Sequence, residues 1–235
     1  MFFFDPMYLL FALPALLLGL YAQLKVQSAM NHYSRVPAGK SGAEVARALL
    51  DANNLYDVRI EESRGFLSDH YDPMKRVLRL SPQVARGRSV ASVGVAAHET
   101  GHALQHATGY WPLQIRTGMV PAVQFGSWLG PSIFFIGWLI SGFAPKLGTS
   151  LAWLGVLAFA AVAVFAIVTL PVEFDASRRA KAMLQRYFMI DQQGMVGVNR
   201  VLDAAALTYV AAAVQAISTL LYYVFLLSGF SRRRE

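Results

Sequence analysis

The stretch Ala96-Ala97-His98-Glu99-Thr100-Gly101-His102-Ala103-Leu104 contains the pattern H-E-x-x-H in an apolar setting. On a helix, His98 and His102 lie one turn apart on one face, so their imidazoles can converge on a single metal ion. Glu99 sits one step round the helix and can reach a water on the open side of that ion. Zinc lowers the pKa of such a water, and the carboxylate takes the proton as the oxygen attacks a carbonyl. One rigid element thus supplies two ligands and a base. The alternative is a chance pair of surface histidines. The whole chain has 5 His, however, and this pair is flanked by Val95, Ala96, Ala97 and Ala103. A helix that apolar is buried, and buried His and Glu need partners. Ser89 can cap this helix and Gly109 can close it, which predicts a helix from Val90 to about Thr108.

Working outward, the chain turns strongly apolar. Hydrophobic residues make up 55% and charged residues 15%, with mean hydropathy +0.41. Soluble domains carry about 25% charge. Four stretches, about Met7–Leu24, Gly118–Phe143, Gly148–Val172 and Leu207–Phe230, contain no Asp, Glu, Lys, Arg or His. Each approaches the roughly 20 residues that span a bilayer as helix. Asp5 and Pro6 can start the first, and its non-basic leader reads as a retained anchor rather than a signal peptide. Gln124, Ser127 and several Gly in the second suit packing against other helices. With 0 Cys, any metal site must use His, Asp or Glu. The net charge of +7 includes no dense basic tract with interleaved aromatics, so lipid and topology, not nucleic acid, explain it.

The polar regions, about 25–117 and 173–206, hold the chemistry. Ser41-Gly42-Ala43-Glu44 fits a capping box and predicts a helix over Gly42–Ala52. Asp57–Glu62 and Arg76–Leu80 read as strands, with Ser68–Pro73 as a turn between them. Val77–Leu80 is either an edge open to substrate backbone or an internal strand of a small sheet. The second region predicts helices over Asp175–Tyr187 and Val196–Ala206. Ala144–Leu147 is short enough to make spans two and three a tight hairpin. With four spans, both polar regions lie on one side. Lys25, Arg116, Arg178, Arg179, Lys181 and Arg186 near the membrane ends favour a cytoplasmic catalytic side, whereas the tail Arg232–Arg234 argues the other way.

A third protein ligand is needed. His106 lies about 12 Å from His98 along a straight helix, too far for one ion. Gln105 and Thr108 stand where an extended zinc motif has Gly and His. Glu173, the first acidic residue after the third stretch, is the better candidate, with Pro171 just before it. Asp175 is roughly 200° further round a helix, so one of the two is a ligand and the other supports it. His70, with Asp69 and Asp72, is either part of a polar turn or a second metal or oxyanion site. Arg178 and Arg116 are candidates for oxyanion or substrate-carboxylate contacts.

Several segments together resemble a known family, the bacterial membrane zinc metallopeptidases of the YugP type, also called neutral zinc metallopeptidases. They are Leu67-Ser68-Asp69-His70-Tyr71-Asp72-Pro73, Val77–Ser81, Gly94–Glu99, Gly101-His102-Ala103, Gln105-His106 and Pro171–Ser177. The resemblance covers most of the chain. It implies a zincin-like core in which His98 and His102 are ligands and Glu99 is the base. The related HtpX-type proteases take a third ligand from E-x-x-A-D. Glu173 and Ala176 match that pattern, whereas Ser177 replaces its Asp.

The expected molecule is therefore an α-rich α+β, four-span transmembrane protein. Its single domain, 1–235, carries a small zincin-like catalytic subdomain at the membrane surface. It is expected to be a multi-pass membrane endopeptidase acting on polypeptides, membrane proteins among them. One Zn2+ is held by His98, His102 and Glu173, with Glu99 catalytic. Asp175, His70, His106 and Arg178 are candidates for supporting the ligands or touching substrate. A site-2-type intramembrane protease is the enzyme rival, although Val201-Leu202-Asp203-Ala204 lacks the Gly of its L-D-G segment. A metal transporter or a zinc-binding scaffold is the rival from another class. The spans carry none of the ionisable residues a transport path needs.

Overall fold

The computed structural model describes residues 6–65 and 68–232. The expected cap Asp5, the Leu67 that opens the matching segment, and Arg233 and Arg234 lie outside the described residues. Along the chain come α1 (Pro6–Tyr33), α2 (Gly42–Ala52), β1 (Arg59–Glu62), β2 (His70–Asp72), β3 (Val77–Leu80), α3 (Pro82–Arg86), α4 (Val90–Ala107), α5 (Trp111–Ile140), α6 (Pro145–Arg186) and α7 (Gln192–Arg232). Four of these helices are long and apolar enough to cross a membrane: Pro6–Tyr33, Trp111–Ile140, Pro145–Arg186 and Gln192–Gly229. The described residues are thus helix-rich, with one small sheet and four helices fit to span a membrane. The helices outrun the apolar stretches that announced them. The helix expected over Asp175–Tyr187 is the continuation of α6 through Pro171, and the one expected over Val196–Ala206 is the first part of α7.

The chain divides into two compact units. The first comprises residues 1–20, 115–170 and 209–235. Its helices approach through small residues: a Cβ added at Gly137 would stand 2.3 Å from the Ala152 amide nitrogen, and one at Gly155 would stand 2.4 Å from that of Phe134. Only glycine allows this backbone contact, as expected between helices in lipid. Residues 141–144 join α5 to α6, giving the predicted hairpin. Large side chains such as Leu10, Phe125, Trp128 and Leu157 point outward, the pattern suited to an apolar solvent.

The second unit comprises residues 21–114 and 171–208. The capping box forms as predicted: Ser41 Oγ accepts from Glu44 N at 3.2 Å, and Glu44 Oε2 accepts from Ser41 N at 2.6 Å. Val45 and Leu49 on α2 pack with Val90, Val93 and Ala97 of α4 and with Ala180 and Leu184 of α6 in one core. A second core sets Ala46 and Leu50 against Leu78, Leu80, Ala96 and Ala103.

The sheet decides between two readings of Val77–Leu80 and corrects one of the segment before it. The sheet order is β1-β3-β2, with β1 parallel and β2 antiparallel to β3. Val77–Leu80 is therefore central and paired on both sides, and it offers no free edge. The segment read as a plain turn contains a strand, β2, because the Tyr71 side chain is buried and joins the apolar core beside Leu78. Apolar burial of that one residue outweighs the turn-forming Asp and Pro around it.

Candidate metal centre

Ser89 caps α4 by accepting from Ser92 N at 3.2 Å, and Gly109 at φ 64° follows its end. His98 and His102 emerge from one face of this helix with ring centroids 4.8 Å apart. The helix lies close against α6 because residue 101 is glycine: a Cβ there would stand 2.5 Å from the Ala176 carbonyl oxygen. That approach brings Glu173 to the histidines. Glu173 Oε2 lies 3.1 Å from His98 Nε2 and 3.7 Å from His102 Nε2, and Glu173 is 2% exposed.

One donor atom from each of His98, His102 and Glu173 lies within 4.8 Å of the others. Two imidazole nitrogens and a carboxylate oxygen are a set of ligands that zinc takes. Three electron-pair donors sharing one buried point also require positive charge between them, from a proton or a cation. The residues therefore fit a zinc ion. Burial alone would lower the pKa of His102. The hydrogen bond to Glu173, the charges of Glu99 and Glu173, and Gln105 outweigh burial and raise it.

The far side of each ring is also held. His98 Nδ1 lies 3.1 Å from Ser177 Oγ, and His102 Nδ1 lies 2.9 Å from Gln105 Oε1. Gln105 is fully buried and donates to Val172 O at 2.8 Å and to Asp175 Oδ2 at 2.9 Å. Asp175, 4% exposed, also accepts from Arg179 Nε at 2.5 Å and pairs with Arg178. Glu173 and Asp175 thus face different partners, as their angular separation on a helix requires. Glu99, beside His98, is buried, and its Oε2 accepts from the Tyr71 backbone amide at 3.1 Å. The N–H of β2 therefore holds the carboxylate.

The other expected residues fall as follows. His106 is not grouped with the two histidines: its Nδ1 lies 2.9 Å from Tyr71 Oη. His70 is exposed, with Nδ1 2.8 Å from Ser68 O and Nε2 3.4 Å from Arg79. Among the described residues, His98, His102 and Glu173 form the group of three able to hold a metal, and His70 is not part of it. Asp203, the carboxylate the site-2 alternative would use, pairs with Lys181 at 2.6 Å. Sequence reasoning missed the roles of Tyr71, Gln105 and Arg179, and took Ser177 only as a departure from a pattern. Position Gln105, three residues after His102 and so on the same helix face, carried the one available signal.

A family model described as "putative neutral zinc metallopeptidase" matches residues 8–228. A protein of Bacillus subtilis (strain 168) named "Putative membrane protease YugP" is 45% identical over 222 residues, 94% of this chain and 96% of that protein. No solved structure matches the chain. With the match running through all four apolar helices and the three-donor cluster, this chain belongs to the neutral zinc metallopeptidase family.

Proposed function

We propose that the protein is a zinc-dependent membrane endopeptidase in which His98, His102 and Glu173 hold one zinc ion and Glu99 is the general base. The observation that carries this is the convergence of two Nε2 atoms from the H-E-x-x-H helix on the buried Glu173 carboxylate of α6. Zinc bound there supplies a Lewis acid that acidifies water and polarises a peptide carbonyl. Glu99 accepts the water's proton and passes it to the leaving amine. The Tyr71 amide keeps the Glu99 carboxylate aimed. The two imidazoles stay fixed because each is also bonded at Nδ1, and Glu173 is buried beside them. The substrate is a polypeptide, as the name of the Bacillus relative supports.

The test is Glu99→Gln in detergent-purified protein, with a fluorescein-labelled unfolded protein as substrate. Zinc content stays at the wild-type level, while hydrolysis falls roughly 10²–10⁴-fold. Undiminished cleavage by this variant would sink the mechanism.

The site also faces the cytoplasm, a reading supported by Lys25, Arg178, Arg179, Lys181 and Arg186 near the membrane ends of the polar regions. The chain has no cysteine, so a single one placed at Met74, 85% exposed, reports sidedness cleanly. An impermeant maleimide is expected to label it only after cells are lysed. Labelling of intact cells would reverse the orientation.

A further inference from the structure

The two histidines are backed by unlike groups. Ser177 Oγ beside His98 can donate or accept, so it permits either tautomer of that ring. Gln105 beside His102 has no such freedom. Its amide end meets the Val172 carbonyl, which only accepts, and the Asp175 carboxylate, whose two oxygens already accept from Arg178 and Arg179. Both partners need donors, so the NH2 of Gln105 must face them, and flipping the amide would set oxygen against two oxygens. Gln105 Oε1 is then committed to His102 Nδ1, 2.9 Å away, and can only accept. Since Gln105 is 0% exposed, water cannot substitute for any of these bonds.

We propose that Gln105 is a positioning residue that locks His102 in its Nδ1–H form, leaving the Nε2 lone pair for the metal. The order of command runs from the arginines to Asp175, from Asp175 and Val172 to the Gln105 amide, and from Gln105 to the ring. In this chain an uncharged carboxamide therefore stands between the histidine and the carboxylate that commonly backs a metal-bound histidine directly. The inference rests on the metal site proposed above, but its tautomer can be read without metal.

The experiment uses the full chain in detergent micelles, labelled with 15N in its five imidazoles. Metal-free protein is observed by NMR at a pH where the rings are neutral, and zinc affinity is measured separately by competition with a chelator. Wild type shows His102 as Nδ1–H. Gln105→Met, close in size and without a carboxamide, shifts His102 towards Nε2–H and weakens zinc about 10- to 100-fold. An unchanged tautomer and affinity in Gln105→Met overturns the proposal.

If that variant does not fold, a second pair decides. Gln105→Glu sets a carboxylate against Asp175 and Val172 O and loses zinc affinity. Adding Asp175→Asn restores a donor and recovers most of the loss, and no recovery overturns the proposal. A wild type that shows Nδ1–H but binds no zinc would refute the proposed metal site and leave the tautomer lock standing.

Discussion

The two compact units use opposite solutions to the burial problem. In the first, helices meet at glycines and around the apolar side chains of Phe134, Val156 and Leu227, and turn Leu10, Phe125, Trp128 and Leu157 outward. In the second, apolar side chains fill the core, and buried Glu99, Gln105, Glu173 and Asp175 are each bonded to a named partner. The difference teaches where charge is tolerable. Buried carboxylates persist only where histidines, arginines or backbone amides answer them.

The largest expected effect separates the two carboxylates of α6. Glu173→Ala removes a donor and leaves protein that retains less than a tenth of the wild-type zinc, read by metal analysis after gel filtration. Wild-type zinc content in this variant would break the assignment of Glu173.

Next come the two close approaches. Gly101→Val and Gly137→Val each force a side chain into backbone and cost about 1–3 kcal/mol, measured by thermal unfolding in detergent. Only Gly101→Val should also lower zinc content, because it parts α4 from α6 at the metal site. Equal zinc loss in both variants would erase the distinction between the units.

The metal-free protein should show a pH signature. The pKa of His102 is raised in the fold, so its stabilisation is complete below the ordinary value near 6.5 and is lost as pH rises through the raised one. The melting temperature of chelator-treated protein therefore falls above neutral pH, whereas zinc uptake improves there as the competing proton leaves. A metal-free melting temperature that rises over this range would contradict the geometry.

Ser41→Ala should cost about 1 kcal/mol through the lost cap of α2. Trp128→Ala, at a side chain 74% exposed, should change detergent stability by about 0.5 kcal/mol or less. A larger loss would mean that Trp128 packs against a partner.

Several features were legible because they are local. The spacing of His98 and His102, the Ser41–Glu44 box, the Ser89 cap and the four apolar runs each depend on residues within a few turns of one another. Misreadings occurred where distant chain segments decided the outcome. Asp69, Asp72 and Pro73 spell a turn, yet Tyr71 pulls the segment into the sheet. Val77–Leu80 has the same alternation whether edge or centre, so its place had to come from β1 and β2. For His106, already set aside as a ligand by its distance along the helix, only the fold shows the partner, Tyr71.

The sequence by itself determined the spanning helices, the capped helix with its paired histidines, and the class of metal those ligands suit. All follow from periodicity, caps and donor chemistry along one segment. Only the tertiary structure decided that Glu173 meets His98 across 75 residues, Tyr71 meets Glu99 across 28, and Gln105 meets Asp175 across 70. Such pairs are set by how closely helices can pack, here by the missing Cβ of Gly101, and no local pattern in the chain records that distance.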